Sequence, residues 1–270
     1  MVGLDLIRAP LFVPASRPER FAKAAASGAD AVILDLEDAV APADKDAARA
    51  GLGRAIADLP VADLPLIVRI NAAGTPWHAQ DLASVRDLPL AGVMLPKAET
   101  PEVLAQVADA LPVLPLVALI ETACGLARAR AIAALPCVAR LAFGSVDFCA
   151  DLGCAHTPEA LLAARSELVL AARLARRAAP LDGVTTDVSS SEAARRDALH
   201  AKMLGMTGKL CIHPRQVEPV RQAFAPDQAM LDWARKVLAA GDGAVALEGE
   251  MIDEPVRRRA RAILAAAGRE

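Results

Sequence analysis

The chain contains no run of about 20 consecutive apolar residues, the length a helix needs to cross a bilayer. Its start lacks the basic segment, long apolar stretch and small-residue cleavage site of a secretory leader. These absences predict a soluble, unexported, cytoplasmic protein with no membrane partner. The five cysteines, Cys124, Cys137, Cys149, Cys154 and Cys211, are odd in number and lack CxxC spacing. That argues against a disulfide framework and for reduced thiols. Cys149 and Cys154 flank Ala150 to Gly153, yet no histidine stands in an obvious partner position, so a nucleophilic thiol is not favoured. Charge of one sign is also missing: 30 Lys and Arg face 33 Asp and Glu, for a net charge of -3. Such a balance gives no general attraction to nucleic acid, and the basic run Arg257 to Arg261 reads as the solvated face of a last helix. There is no internal repeat beyond an alternation of strand-like and helix-like segments.

What is present is a large apolar inventory, 54% of 270 residues, enough for one sizeable α/β domain. Short apolar runs recur at Arg8–Val13, Ala31–Leu34, Leu66–Ile70, Gly92–Leu95, Leu116–Ile120, Leu141–Val146, Leu181–Val184 and Lys209–Ile212. Between them the spacing predicts helices, including Asp44–Ala57, Trp77–Leu88, Thr100–Leu111, Ala123–Ala134, His156 to about Ala178, and Ser190–Leu204. Eight such units predict a closed (β/α)₈ TIM barrel over residues 1–214, since helices covering a parallel sheet make its strands continuously apolar. A doubly wound open sheet is the second choice, but no GxGxxG follows the first strand. Residues 215–270 read as a C-terminal extension: helices at Gln216–Phe224, Asp227–Ala240 and Pro255–Ala267, with a hairpin in GDGAVALEGEMID. This tail either wraps its own barrel or covers a neighbouring protomer's site.

Barrels of this kind keep their chemistry at the C-terminal edge of the strands. Collected there are Phe12–Arg17, Asp35–Asp38, Arg69–Asn71, Lys97, Glu121, Asp147 and His213. Glu121 and Asp147 each stop an apolar run. Two carboxylates without a Cys/His cluster suit a hard cation such as Mg²⁺, which keeps waters or takes substrate oxygens. The structural alternative makes Glu121 a helix N-terminal acid and Asp147 a turn residue. Arg69 directly follows a buried strand, where its fork suits a carboxylate or an enolate oxygen; the alternative is an ion pair with Asp35, Glu37 or Asp38. Lys97 reads as a solvated or anion-contacting turn residue rather than a Schiff-base lysine, and His213 as a packed strand-end histidine rather than a base.

The segments LFVPASRPERFAKAAASGADAVILDLEDAVAP, IVRIN, GVMLPKAE, ALIETACGL, LAFGSVDFCADLG, LDGVTTDV and GKLCIHPRQV occur in one order along the whole chain. Together they resemble the citrate lyase beta subunit-like branch of the HpcH/HpaI aldolase superfamily, which includes malyl-CoA, citramalyl-CoA and citryl-CoA lyases. Two departures stand out: Ala15, where the opening motif usually reads VPG, and Ser145-Val146, where relatives often carry an acid.

The resemblance implies a TIM barrel that assembles as a homotrimer or a multiple of it. It implies Mg²⁺ held by Glu121 and Asp147, with Glu37 and Asp38 hydrogen-bonding to water around the ion. Arg69 then contacts substrate oxygens, while Pro14, Arg17 and Lys97 lie near the entry of a coenzyme A or acyl-carrier thioester. The motif GEMIDEP places Asp253 where stand-alone lyases carry an acid or base that reaches a neighbouring protomer. The implied activity is Mg²⁺-dependent carbon–carbon cleavage of a 3-hydroxy-dicarboxyl-CoA thioester to acetyl-CoA and a 2-oxo acid. Alternatives are a malyl-CoA-type thioesterase or synthase, a citrate lyase beta subunit acting on a carrier-bound thioester, an aldolase for 2-keto-3-deoxy sugar acids, and a non-catalytic binding subunit.

Overall fold

The runs rich in Val, Ile, Leu and Ala form an inner ring of strands, because parallel strands covered on both faces carry apolar residues in succession. In the computed structural model, which describes residues 3–59, 64–241, 245–247 and 250–267, the ring opens with β1 (Pro10–Pro14), α1 (Phe21–Ala25), β2 (Ala31–Asp35) and α2 (Lys45–Ala57). It continues through β3 (Leu66–Arg69), α3 (His78–Val85), β4 (Gly92–Leu95), α4 (Pro101–Ala110), β5 (Leu116–Ile120) and α5 (Ala123–Ala134). Then come β6 (Val138–Phe143), α6 (Ser145–Leu152), α7 (Leu162–Leu174), β7 (Ala178–Asp182), α8 (Ser191–Met203), β8 (Gly208–Lys209) and α9 (Pro214–Phe224). Each strand pairs in parallel with the next, from β1 to β8. The ring returns on itself where Cys211 bridges Leu11, with the Phe12 N–H donating to the Cys211 carbonyl at 2.8 Å. This is the expected (β/α)₈ barrel.

Side-chain alternation along each strand decides what the barrel holds. Ile33, Ile67 and Leu119 belong to one buried apolar cluster with Ala142, Leu181 and Leu210. Two residues further on, the same face carries Asp35, Arg69 and Glu121, so the strand period itself places these charges at the barrel's mouth. Asp35 and Arg69 are moreover partners in the β2–β3 register. At the opposite end Arg140 is fully buried and donates to the carbonyls of Leu4, Ile7 and Ala179 and to Thr207 Oγ1. Burial pushes its pKa down to about 9. Hydrogen bonds at that end of a barrel serve stability rather than chemistry.

Contacts divide the chain into two compact units, Met1–Ala223 and Phe224–Glu270. The division falls beyond residue 214 because α9 is tied to the barrel: Gln216 donates to the Thr185 carbonyl at 2.8 Å and accepts from the Ile212 N–H at 3.0 Å. In the second unit, α10 (Gln228–Ala239) begins at the Asp227 cap, and β9 (Val245–Leu247) and β10 (Glu250–Ile252) form the expected antiparallel hairpin. The terminal helix α11 (Glu254–Ala267) packs Ala260 and Ile263 with Ala234, Val237 and Ile252. Among the described residues no helix is long and apolar enough to cross a membrane.

Candidate active site at the barrel mouth

A cavity of about 400 Å³ opens where β2, β3, β5 and β6 end. Its charged lining consists of Asp35, Asp38, Arg69, Glu121 and Asp147, set against apolar side chains including Phe12, Leu119, Val184 and Leu210.

Arg69 is the fulcrum. Its Nε donates to Asp35 Oδ1 at 2.7 Å and its Nη2 to Asp35 Oδ2 at 2.6 Å, while Nη1 lies 3.0 Å from Glu37 Oε2. The guanidinium also stacks on Phe12, 4.9 Å from the ring centroid. Burial works against its charge, but Asp35 and Glu37 outweigh burial and hold its pKa above the ordinary value. With five N–H donors and two committed to Asp35, the fork keeps donors for a further oxygen acceptor. The two readings open for this arginine, ion pair and site residue, therefore coexist.

The acids that hold Arg69 are themselves held. Asp35 accepts the backbone N–H groups of Glu37 and Ala39 at 2.9 and 3.1 Å. Lys45, buried on α2, donates to the carbonyls of Leu36 and Glu37 and to Asn71 Oδ1. Asn71 in turn donates to Asp81, which also takes Arg49. Sequence reasoning missed Lys45, because an ammonium on an amphipathic helix normally reads as solvent-facing.

Glu121 is 1% exposed. Its Oε1 accepts the Lys97 backbone N–H at 2.7 Å, an N–H aimed by the left-handed conformation of Lys97 (φ 47°). Its Oε2 is buried with no hydrogen-bond partner. Burial, then the charges of Glu37 and Asp147, push its pKa up to about 8. Lys97 Nζ binds Glu37 Oε1 at 2.8 Å, so the lysine is an ion-pair partner in the same network. Burial likewise raises Glu37 despite Arg69 and Lys97.

Asp147 sits in the first turn of α6, a short helix that begins inside the run expected as strand, and faces the same cavity as Glu121. Gly144 makes room for that approach: a Cβ there would overlap Glu121 Oε2 and stand 2.5 Å from its Cβ. Gly144→Ala is expected to lower stability by about 1–3 kcal/mol and to displace the Glu121 carboxylate, read as a fall in melting temperature with weaker divalent-ion binding by calorimetry. Among the described residues no group of three or more His, Cys, Asp and Glu is set to enclose a metal. Two carboxylates on one cavity, one of them with a buried oxygen that has no hydrogen-bond partner, fit a hard cation that completes its shell with water or substrate oxygens.

Within the barrel unit, the expected site residues Pro14, Arg17 and His213 lie apart from the cavity lining. Pro14 ends β1, and Arg17 is exposed and paired with Glu19 at 2.6 Å. His213 accepts the Arg215 N–H at the start of α9. Asp253, in the second unit, accepts the Val256 N–H through Oδ1 at 3.3 Å and so caps α11.

The mouth of this (β/α)₈ barrel gathers carboxylate oxygens and the N–H donors of one guanidinium side by side. The chain belongs to the HpcH/HpaI aldolase/citrate lyase family, whose model matches residues 8–214. It is 43% identical over 268 residues to the citrate lyase subunit beta-like protein of Mycobacterium tuberculosis, spanning 96% of this chain and 94% of that protein. Identity to the (3S)-malyl-CoA thioesterase of Cereibacter sphaeroides is 32% over 268 residues, with the same coverage of 96% and 94%. The fold matches the crystal structure of CitE from M. tuberculosis in complex with magnesium, acetoacetate and coenzyme A, with a TM-score of 0.86 and 40% identity. That match covers 98% of this chain and all of the other.

Proposed function

We propose that the protein is a Mg²⁺-dependent carbon–carbon lyase that cleaves a 3-hydroxy-dicarboxyl-CoA thioester of the malyl, citramalyl or citryl type to acetyl-CoA and a 2-oxo acid. The observation that carries this reading is the orphaned Oε2 of Glu121, buried in a cavity shared with Asp147 and Arg69. The CitE complex, which holds magnesium, a keto acid and coenzyme A together, supports it.

Glu121 and Asp147 would hold the ion, which when bound supplies Lewis acidity at the oxo-acid oxygens. The chain's own groups do the rest. Arg69, fixed by Asp35 and Glu37, directs its remaining N–H donors at the oxygens that gain charge in the transition state, and because the fork is already oriented it reorganises little. Lys97 fixes Glu121 through the backbone, which leaves Oε2 directed at the cavity. Asp38, exposed on the rim, accepts hydrogen bonds from cavity water, and the apolar wall limits how much water enters. Pro14, Arg17 and Lys97 flank the strand ends that a pantetheine arm crosses. Asp253 of a second copy supplies the acid that protonates the thioester enolate, which makes a trimer or a multiple of it the working assembly.

Thioester hydrolysis is the second reading, favoured by the malyl-CoA thioesterase relative. Acetyl-CoA release from malyl-CoA, citramalyl-CoA and citryl-CoA, with Mg²⁺ and with EDTA, separates the two. Metal-dependent acetyl-CoA is expected from at least one of them. Free CoA with an intact hydroxy acid would make the protein a thioesterase, and no turnover would remove both readings.

A further inference from the structure

One hydrogen-bonded pair on the cavity wall has no part in the chemistry above. Ser145 opens α6 in the same turn as Asp147, lines the cavity and is 1% exposed. Its Oγ lies 2.8 Å from Nε2 of His156, and His156 sits in the loop between α6 and α7 with a solvent-exposed face. Gly183 makes room for the serine: a Cβ there would overlap its hydroxyl and stand 2.5 Å from its Cβ. A single hydrogen bond thus joins the cavity to bulk solvent.

The charged groups facing His156 are Lys209 on β8, Arg165 on α7, Asp182 on β7 and Asp197 on α8. Arg165 and Lys209 both bind Asp182, at 2.8 and 3.0 Å. Partial burial lowers the imidazole pKa, and the Lys209 and Arg165 cations lower it further. At neutral pH the ring is therefore uncharged, with one nitrogen free to accept a proton.

We propose that Ser145 and His156 form a proton relay that carries the substrate's hydroxyl proton out of the cavity, an inference that rests on the lyase reading. The substrate O–H bond breaks as a new O–H bond forms on Ser145 Oγ. The serine's own proton passes to His156 Nε2, which leaves an alkoxide in the cavity and an imidazolium in the loop. The alkoxide electron pair becomes the new carbonyl as the C–C bond breaks, and the bond pair passes to the enolate. The imidazolium releases its proton to solvent, a step that Lys209 and Arg165 hasten. The enolate carbon takes its proton from a separate acid, the role given above to Asp253. Ser145 touches the substrate, and His156 acts through Ser145.

The test is kcat/KM for the thioester that the unaltered enzyme cleaves best, followed from acid to alkaline pH in Ser145→Ala, His156→Gln and the double variant. Both single variants are expected to lose about 10²-fold, in the range of one general acid–base group. The double variant should lose no more than either, as for groups acting in series. The imidazole-dependent acidic limb of the profile should vanish in His156→Gln, and added imidazole should restore part of the rate in His156→Ala. A packing role would instead change the melting temperature and leave the limb in place. Unchanged rates and profiles in an enzyme that cleaves its thioester would overturn the relay and leave the lyase standing. An enzyme inert toward every thioester offered would remove the lyase reading, and the relay with it.

Discussion

Glu121→Gln is expected to move two properties in opposite directions, stabilising the metal-free protein at alkaline pH while abolishing Mg²⁺-dependent turnover. The carboxyl has a folded pKa of about 8 against an ordinary value of 4.5, chiefly because it is buried. A group that binds its proton more tightly when folded contributes stability that is complete below its unfolded pKa and is lost as pH rises through the folded one. In the metal-free enzyme that loss falls between about pH 4.5 and pH 8 and amounts to a few kcal/mol in order of magnitude. Glutamine never ionises, and it can keep the Oε1 acceptor for the Lys97 N–H, so the variant should escape the loss. Melting curves in EDTA at pH 6 and pH 9 should therefore nearly coincide for the variant and separate for the parent. The metal reverses the sign for the parent, because a ligand carboxylate must be deprotonated. Mg²⁺ should raise the parent's melting temperature more at pH 9 than at pH 6 and leave the variant's unchanged. Turnover should fall by more than about 10²-fold, beyond the loss of an outer-shell partner. Undiminished Mg²⁺ affinity by calorimetry would exclude Glu121 as a ligand.

The difference between what was readable in the sequence and what was not follows from the range of the interactions. The strand runs were readable because burial on both faces is a local, contiguous signal. Three runs shifted: β6 covers Val138–Phe143 rather than Leu141–Val146, because Ser145 and Val146 already belong to α6, and the other two are runs with weak local signals. β7 begins at Ala178 rather than Leu181, in an Ala-Ala-Pro stretch with little apolar weight. The last run, expected over Lys209–Ile212, is split between a short ladder with β7 and a bridge to β1 at Cys211. The helix expected from His156 begins at Leu162 instead; the Ser145 hydrogen bond holds His156 in the preceding loop. Asp147 lies in the cavity lining, and the start of its helix was missed because the strand run was carried on to Val146, past the end of β6 at Phe143. Lys45, Arg140, Arg165 and Lys209 were invisible as buried charges. Their partners lie far along the chain or on backbone carbonyls, so no spacing rule connects them.

Arg69 admits the sharpest separation of structure from chemistry. Arg69→Met should cost about 3–5 kcal/mol, because it strands the buried Asp35 and Glu37 carboxylates without their cation. Adding Asp35→Asn should return part of that loss, since the two side chains are one unit and their effects are not additive. Such a result is shared by any buried ion pair and says nothing of catalysis. Arg69→Lys is the informative change. An ammonium preserves a charge beside Asp35 and Glu37, yet it lacks the planar fork that serves Asp35 with two donors and keeps others for an incoming oxygen. If the arginine contacts the reacting oxygens, Arg69→Lys should lose about 10²-fold or more in kcat/KM, far beyond what its modest change in urea midpoint would account for. The loss should appear in kcat as well as KM, because the contact strengthens as charge develops. A lysine variant that matches the parent in rate, whatever its stability, would confine Arg69 to holding Asp35 and Glu37 in place. The oxyanion contact would then have to come from the metal alone.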